Sequence, residues 1–190
     1  SPNGIIGEKD ACGVGFVAHV KGIESNWILK QSLKGLNCME HRGGCGGDSD
    51  SGDGAGILCS IPWNFLEKEV NLKNKKEYDK GLGMVFMPNK KEKIEVCKSI
   101  CDKEAEKLSV NKTYWRTVPV KNEILGPLAK ANAPFICQWI LYVDKRDHKN
   151  IERLLFQLRK RIEKKIRETF KNHVGDCEFY FASLSSQTVV

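Results

Sequence analysis

The strongest pattern along the chain is an apolar residue at every third or fourth position between residues 150 and 172, which predicts a long amphipathic helix. The same spacing over residues 91–108 predicts a second amphipathic helix. A third helix is predicted over residues 26–40, where the side chain of Ser25 or of the next residue can cap the first turn. A short helix is expected over residues 63–70, directly after a proline.

Between the helices, runs of β-branched and aromatic residues predict strands. They cover residues 13–20, 57–61, 82–87, 113–120, 135–143 and 178–184, and another begins at residue 187. Seven glycines in sixteen residues predict a loop over residues 41–56, and a turn region is expected over residues 126–134. Because the strands follow helices in pairs rather than in strict β-α-β alternation, the pattern predicts an α+β protein with mainly antiparallel sheet.

Composition narrows the class of protein. The 190 residues are 41% hydrophobic and 29% charged, which is typical of a folded globular domain. No apolar run reaches the roughly 20 residues of a membrane-spanning helix, and Ser1–Asp10 has no apolar stretch typical of a secretory signal. The eight cysteines include no C-x-x-C pair, so we expect reduced thiols in a cytoplasmic protein, or in a plastid protein if a transit peptide has been removed.

Charge is divided unevenly along the chain. Residues 1–66 carry a formal charge of −2 and residues 67–190 a charge of +9. Basic residues are concentrated in the helix over 150–172, where three glutamates are interleaved with them. Because we expect no aromatic side chain on the basic face to stack on bases, the helix is predicted to be solvated rather than to bind nucleic acid.

Two polar groups in the glycine-rich first third are candidates for chemistry. Cys12 stands directly before Gly13, whose lack of a side chain would let a substrate approach the backbone closely. A nucleophile and a buried core thiol are both consistent with this position. Arg42 follows the helix over 26–40, where its guanidinium could face a cleft and bind a carboxylate, or act only as a favourable charge at the helix end.

Other types of glycine-rich site fit the loop poorly. A phosphate-binding loop needs Lys followed by Ser or Thr after its last glycine, where this chain has isoleucine. A calcium loop that begins at Asp48 would need a glutamate at its twelfth position, which is Cys59. A zinc site built from Cys38, His41 and Cys45 lacks a fourth ligand unless Asp48 supplies it. We therefore expect no metal in this chain.

Three segments in fixed order and spacing are more specific than any single residue. They are DACGVGFVAHVKG (10–22), LNCMEHRGG (36–44) and SGDGAGILCSIP (51–62). Together they resemble the start of the glutaminase domain of glutamate synthase, a class II glutamine amidotransferase. The last segment, FYFASLSSQTVV (179–190), also resembles this family, although the resemblance is dense only in the first 62 residues.

The resemblance implies the N-terminal-nucleophile hydrolase fold, in which two antiparallel sheets lie between helical layers in a four-layer αββα arrangement. Residues 12–190 would be the N-terminal part of this glutaminase domain, and residues 1–11 would be a propeptide. Because the chain ends in an apolar segment with no polar tail, we expect the domain to be incomplete here.

The same resemblance implies roles for individual residues. Cys12 would be the nucleophile, and its α-amino group would become the base once the propeptide is removed. Arg42 would position the loop that carries the nucleophile, whereas Gly13, Asp53 and Gly54 would lie on the substrate side of the pocket. The family's remaining glutamine-binding residues and its oxyanion hole have no counterpart in this chain, so we expect the chain to be inactive alone.

The family's full enzyme transfers ammonia from glutamine to 2-oxoglutarate, with electrons delivered through FMN and an iron–sulfur cluster from NAD(P)H or ferredoxin. The resemblance therefore implies glutamine and the remaining synthase domains of the same polypeptide as partners, with no cofactor held by these residues. A different class II amidotransferase is an alternative, although such enzymes generally begin close to the mature cysteine and lack the pairing of E-H-R-G with S-G-D-G-A-G-I. A non-catalytic scaffold domain is the other alternative, and in it Cys12 would never react.

Overall fold

A computed structural model of the protein describes residues 13–39, 51–52, 54–70, 77–110, 112–170 and 179–190. The chain forms two compact units. The N-terminal unit consists of Ser1–Ile57 with Lys121–Asn132, and the scaffold unit consists of Leu58–Val120 with Ala133–Val190.

The described helices and strands follow one another in a mixed order. They are α1 (Asn26–Cys38), β1 (Cys59–Ser60), α2 (Trp63–Glu69), β2 (Tyr78–Met87), α3 (Lys91–Glu106), β3 (Lys112–Thr117), α4 (Pro127–Ala131), β4 (Phe135–Asp144), α5 (Ile151–Thr169), β5 (Tyr180–Ser185) and β6 (Thr188–Val189). A single 3₁₀ turn, Asn122–Ile124, precedes α4.

The scaffold unit is built around a four-stranded antiparallel sheet in the order β3-β4-β2-β5. The two central strands, β2 and β4, stay in one register from the pair Tyr78–Asp144 to the pair Met87–Phe135. Because successive side chains point to opposite faces of a sheet, both strands contribute to two separate apolar clusters.

Helices α3 and α5 cover one face of this sheet. The odd-numbered residues of β4, including Trp139 and Leu141, pack beneath them in the larger cluster. The apolar stripes predicted for both helices are confirmed, since each stripe is buried here. The buried stripe residues are Ile94, Cys97, Cys101 and Ala105 in α3, and Leu154, Leu155, Leu158, Ile162 and Ile166 in α5.

The opposite face of the sheet carries a second, smaller cluster. Leu82 and Ile140 point into it from the two central strands. Helix α2 contributes Leu66, and the antiparallel pair formed by β1 and β6 contributes Val189. The scaffold unit therefore has a helical layer on one face of the sheet and a mixed layer on the other, which confirms the predicted α+β class with antiparallel sheets.

Strand β5 contains an irregularity that changes which of its residues face the helices. Val85 of β2 pairs with Phe181, but the preceding residue, Met84, pairs with Ser183, so β5 carries one extra residue at this point. The extra residue lets both Phe181 and Leu184 pack in the helix-side cluster although they are three positions apart.

Two glycines of β2 lie where a side chain would crowd its neighbours, Gly81 beneath α5 and Gly83 beside β5. A Cβ atom on Gly81 would be 2.9 Å from Cδ2 of Leu155, which is fully buried, whereas one on Gly83 would be 3.3 Å from Cδ1 of Leu184. At the first position a side chain requires the helix or its leucine to move. The sequence therefore has glycine where the sheet has no room for a methyl group.

We expect Gly81→Ala to destabilise the scaffold unit by about 1–3 kcal/mol, because an extra methyl group in a packed core forces side chains off their rotamers. The measurement is the free energy of unfolding in urea. Gly35→Ala is the control, since a Cβ at that exposed helical position meets nothing within 4 Å. The control should be neutral or stabilising by up to about 1 kcal/mol. Equal effects of the two substitutions would contradict this account.

The N-terminal unit contains α1, α4 and extended chain. Ser25 caps α1 as predicted, with its hydroxyl accepting a hydrogen bond from the N–H of Ile28 at 3.4 Å. No residue of α1 is buried, although the helix has the predicted apolar stripe. Pro127 occupies the first turn of α4, where its missing N–H costs no helical hydrogen bond.

The strand predicted over residues 13–20 is wrong for this structure. The segment has the alternating apolar pattern of a strand but is irregular, and it pairs with none of the other described residues. A strand needs a neighbour to satisfy its backbone N–H and C=O groups, and sequence pattern alone does not supply one. The pattern therefore indicates that the segment favours an extended strand, but it does not determine the conformation that the segment adopts here.

Several predicted boundaries also shift. Strand β2 begins at Tyr78 and not at residue 82, because its polar first residues still pair with β4. The strand predicted over 57–61 is reduced to β1, and the one predicted over 113–120 ends at Thr117. The turn region predicted over 126–134 contains the short helix α4. The last two residues of the predicted helix 150–172 lie outside the described residues.

The polar face of α5 differs from the prediction in one respect. Phe156 lies on this face with 60% of its surface exposed, and Nζ of Lys160 is 5.8 Å from the centroid of its ring. The expectation that the basic face has no aromatic side chain is therefore wrong. The interpretation of α5 as a solvated helix stays a prediction. Separately, none of the described helices combines the length and the apolar character that crossing a membrane requires.

Candidate functional site

Two of the five predicted site residues lie within the described part of the chain. Gly13 begins the irregular segment before α1, and Gly54 lies within the glycine-rich loop. Cys12, Arg42 and Asp53 lie outside the described residues. The surroundings of the candidate site are therefore described through the neighbouring residues in each of the three characteristic segments.

The first two segments meet within the N-terminal unit. A Cβ placed on Gly15 would lie 4.0 Å from Cε of Met39, an ordinary van der Waals distance. Gly15 is three residues after Cys12, and Met39 is three residues before Arg42. Residues of the first two characteristic segments, Gly15 and Met39, therefore lie close to each other at the end of α1.

The third segment is fixed by a contact that the sequence analysis missed. Ser51, the first residue of S-G-D-G-A-G, is 7% exposed, and its Oγ accepts a hydrogen bond from the N–H of Ala129 at 3.1 Å. Gly54 has a φ of +96°, a conformation that strongly favours glycine. Ser51, at the start of the glycine-rich turn, is thus anchored to α4.

The imidazole nearest the predicted nucleophile in sequence is engaged in its own turn. Nδ1 of His19 accepts hydrogen bonds from the N–H groups of Lys21 and Ile23 at 3.2 and 3.4 Å. Gly22 closes this turn with a φ of +66°. Nδ1 of His19 therefore has a structural role within this turn.

The segment that follows Gly13 has an uncovered apolar face. Val14, Phe16 and Val20 are each between 94% and 103% exposed. Three large apolar side chains at alternating positions are unusual on a finished protein surface, and such patches mark interaction sites. The segment that follows the predicted nucleophile therefore presents an exposed apolar face in this structure.

The scaffold unit contains a buried carboxylate that joins its two long helices. Glu104 of α3 accepts a hydrogen bond from Nε of Arg161 in α5 at 2.9 Å and is also paired with Lys107. These contacts, with Lys107 contributing most, hold the pKa of Glu104 below its ordinary value. The pair tethers α3 to α5 above the sheet.

We expect Glu104→Gln to destabilise the protein near neutral pH and to have less effect in acid. The lowered pKa in the folded state means that the ionised carboxylate contributes stability above a pH of about 4.5, and this contribution is lost as the pH falls further. The measurement is the urea midpoint of both proteins from pH 7 down to pH 3. Glu95→Gln is the control, because Glu95 is exposed and its nearest cation, Lys98, is 3.7 Å away. A difference between wild type and Glu104→Gln that stays constant across this range would contradict the assignment.

A second carboxylate organises the aromatic core. Asp102 accepts hydrogen bonds from the hydroxyl of Thr113 at 2.8 Å and from the indole N–H groups of Trp115 and Trp139, each at 3.1 Å. The two indole rings stack with their centroids 5.3 Å apart. A buried indole N–H without an acceptor lowers the stability of the folded state. The Asp102 carboxylate therefore has a structural role and is not available for catalysis.

The face of the sheet opposite α3 and α5 holds a polar cluster that the sequence analysis also missed. Glu67 accepts hydrogen bonds from Nζ of Lys80 at 2.9 Å and from the phenol of Tyr142 at 3.4 Å. Burial and, next, the nearby Glu67 raise the pKa of Tyr142 to about 12. The phenol therefore stays protonated at neutral pH and donates to Glu67. The cluster links α2 to the sheet.

The described cysteines divide into buried and accessible groups. Cys97, Cys101 and Cys137 are buried, and burial raises the pKa of Cys101 and Cys137. These thiols are therefore poor nucleophiles at neutral pH. Cys38, on α1, is exposed. Within the described ranges, no group of three or more His, Cys, Asp and Glu side chains could hold a metal ion. Two ligands of the zinc alternative, His41 and Cys45, lie outside those ranges.

Comparison with known families gives one match over nearly the whole chain. The family described as glutamine amidotransferases class-II matches residues 12–190. The match begins at Cys12 and includes all three characteristic segments except the two residues that precede this cysteine.

Comparison with curated proteins gives relatives of much greater length. The chain is 40% identical to ferredoxin-dependent glutamate synthase 1 of Arabidopsis thaliana, with 98% of this chain and 12% of the relative covered. It is 42% identical to ferredoxin-dependent glutamate synthase of rice, Oryza sativa, with 99% and 12% covered. It is 40% identical to the large chain of the NADPH glutamate synthase of Bacillus subtilis, with 96% and 12% covered. The chain thus spans about an eighth of the length of these relatives.

Proposed function

The chain belongs to the family of class II glutamine amidotransferases, and on this premise we propose that it is the first part of the glutaminase domain of a glutamate synthase. The observation that carries the proposal is the family match that begins at Cys12, the residue that the resemblance of the sequence motifs marks as the nucleophile. In the proposed reaction, glutamine is hydrolysed to glutamate and ammonia. The ammonia then aminates 2-oxoglutarate elsewhere in the full-length protein.

Cys12 carries the proposed chemistry. The Cys12 thiolate attacks the side-chain amide carbon of glutamine, the nitrogen leaves as ammonia, and water hydrolyses the resulting γ-glutamyl thioester to glutamate and the free thiol. The α-amino group of Cys12 accepts the thiol proton and donates a proton to the leaving nitrogen. With an ordinary pKa of about 7.7–8.0, a free amino group is suited to this role, whereas the amide formed with Ala11 cannot accept a proton. Removal of residues 1–11 therefore activates the enzyme.

The other predicted site residues have supporting roles. Arg42 positions the loop of the nucleophile, and the approach of Met39 to Gly15 supports this role because it brings their two segments together. Gly13, Asp53 and Gly54 lie on the substrate side of the pocket. The φ of +96° at Gly54 supports a specific turn at this place.

The remaining functions of the full-length protein belong to other parts of it. The described residues form no ligand set for a metal or a cluster, so they do not fit an iron–sulfur cluster, and we assign that cluster and FMN to the rest of the polypeptide. The proposed electron donor is ferredoxin or NAD(P)H, and the names of the relatives give ferredoxin or NADPH for those proteins. The protein acts in the cytoplasm or in a plastid.

The test follows nitrogen from the substrate. Full-length protein is given glutamine labelled with ¹⁵N in the side-chain amide, together with 2-oxoglutarate and a reductant. We expect the label in the α-amino group of newly formed glutamate. Release of labelled ammonia without incorporation, or transfer to another acceptor, would favour a different class II amidotransferase. No release of label at all would favour the scaffold alternative.

A further inference from the structure

The segment Lys121–Asn132 lies between two strands of the scaffold unit in sequence but belongs to the N-terminal unit in space. The chain leaves the scaffold sheet after β3, forms the 3₁₀ turn and α4, and returns at β4. We call this segment the strap. A hairpin connection between neighbouring strands needs only a few residues, so a twelve-residue excursion calls for an explanation.

The two ends of the strap are held by hydrogen bonds within the scaffold unit. Before the strap, the N–H of Val118 donates to the carbonyl of Ile136 at 3.0 Å. After it, Nδ2 of Asn89 donates to the carbonyl of Ala133 at 2.6 Å. Because both ends are closed, the strap loses less conformational entropy when it is ordered than a free segment would.

The strap contacts the glycine-rich turn through one residue of each. Oγ of Ser51 accepts a hydrogen bond from the N–H of Ala129, the third residue of α4. The first N–H groups of a helix have no partner within it, and Gly126, at the N-cap position, has no side chain with which to cap them. Ser51 therefore completes the start of α4, while α4 holds the start of the turn.

The position of Ser51 makes this contact relevant to substrate. Ser51 is buried, and it begins the turn that continues through Asp53 and Gly54, which line the substrate side of the pocket under the proposed function. Gly54 adopts a φ of +96°. Without the hydrogen bond of Ser51, the glycine could adopt other backbone conformations. A shift of the anchor would therefore move the groups that meet glutamine.

We propose that the strap holds the glycine-rich turn of residues 51–56 in the shape that binds glutamine, with Ser51 as the positioning residue. The inference rests on the proposed function for its choice of substrate. The strap acts on binding and not on bond breaking, because the nucleophile belongs to a different segment. Its loss should therefore raise the KM for glutamine and leave kcat nearly unchanged.

Two substitutions break the same hydrogen bond from opposite sides. Ser51→Ala removes the acceptor, and Ala129→Pro removes the donor without removing a hydrogen bond within α4, because the first N–H groups of a helix have no partner inside it. In the full-length protein, each should raise the KM for glutamine about fivefold, the equivalent of one hydrogen bond, with kcat within about twofold. The double variant should be no worse than Ser51→Ala alone, since the bond that Ala129→Pro removes is already lost in that variant. Lys130→Ala, which changes an exposed side chain of the same helix, is the control.

A KM that is unchanged in both single variants, or effects that add in the double variant, would overturn the proposal. A fall in thermal stability with no change in KM would reduce the contact to a structural one and would also overturn it. Should one substitution prevent folding, the other still tests the bond. If the wild-type protein releases no ammonia from glutamine, the proposed function itself has failed.

Hydrogen exchange provides a readout that does not depend on activity. In the wild-type protein the amide of Ala129 should be protected, because within the described residues its hydrogen bond goes to Ser51. In Ser51→Ala the amides of residues 51–57 and that of Ala129 should exchange faster, whereas those of β2 and β4 should not change. Fast exchange at Ala129 in the wild-type protein would show that the strap does not hold the turn.

Discussion

Replacing Cys12 by alanine in the full-length protein should abolish glutamine hydrolysis, with a loss of roughly 10⁴-fold or more in kcat, the scale seen when a covalent nucleophile is removed. The physical reason is that the proposed thioester forms on the thiol of Cys12. The buried thiols of Cys97, Cys101 and Cys137 cannot substitute, because they lie in the core beneath α3. Ammonia release from glutamine is the measurement.

The control for this prediction is Cys38→Ala. Cys38 is an exposed thiol in the same unit, and it lies within the second characteristic segment. Its removal should leave ammonia release within about twofold of wild type, as is usual for surface substitutions. Both variants should be made with and without residues 1–11, so that a failure to remove the propeptide is not mistaken for loss of the nucleophile. A Cys12→Ala protein that retains more than a tenth of the activity would rule out the assignment.

The 190-residue chain by itself should hydrolyse glutamine at least about 10⁴-fold more slowly than the full-length protein. Loss of one oxyanion donor alone costs about 10²–10³ in rate, and loss of the groups that orient the substrate adds to it. The resemblance implies that the family's oxyanion hole and its remaining glutamine-binding residues have no counterpart in this sequence. The exposed face of Val14 and Phe16 agrees with this expectation, because the segment next to Cys12 is uncovered.

The comparison uses the isolated chain with residues 1–11 absent, the same chain extended through the family domain, and the full-length protein. We expect activity in the last two and none above background in the first. An extended chain that gains activity while Val14 and Phe16 become protected from exchange would connect the missing residues to the uncovered surface. Turnover by the isolated chain at a rate typical of enzymes would refute the prediction.

The elements that the sequence predicted best are those whose cause is local. In α5, five residues of the apolar stripe are buried as their spacing requires, and Asn150 caps the helix with its side chain accepting from the N–H of Arg153 at 2.9 Å. Strand β4 is likewise apolar along its length and lies in the centre of the sheet. Periodicity and capping depend on residues that are close in sequence, so both can be recognised without knowledge of the fold.

The elements that the sequence predicted wrongly depend on residues that are distant in sequence. Residues 13–20 have the pattern of a strand but no partner among the described residues, whereas the polar start of β2 is strand only because β4 pairs with it. Strand β5 gains an irregularity that no pattern in its own sequence marks. Phe156 was missed because a single apolar residue on a charged face does not alter the period of a helix.

The candidate site shows the same division. The physical properties of Cys12 and Arg42 leave two interpretations open for each, and the resemblance of three ordered segments favours the functional one. The contact of Ser51 with Ala129 joins residues 78 positions apart and has no local signal. It could be found only once the fold placed α4 beside the glycine-rich turn.

The most direct test of the central claim is the intact mass of the protein after exposure to an electrophilic analogue of glutamine. The isolated chain and a chain extended through the rest of the family domain are treated in parallel. We expect the extended chain to lose residues 1–11 and to gain a single adduct that peptide mapping places on Cys12, while the isolated chain gains none. An adduct on another residue of the extended chain, or the same adduct in Cys12→Ala, would contradict the assignment of the nucleophile.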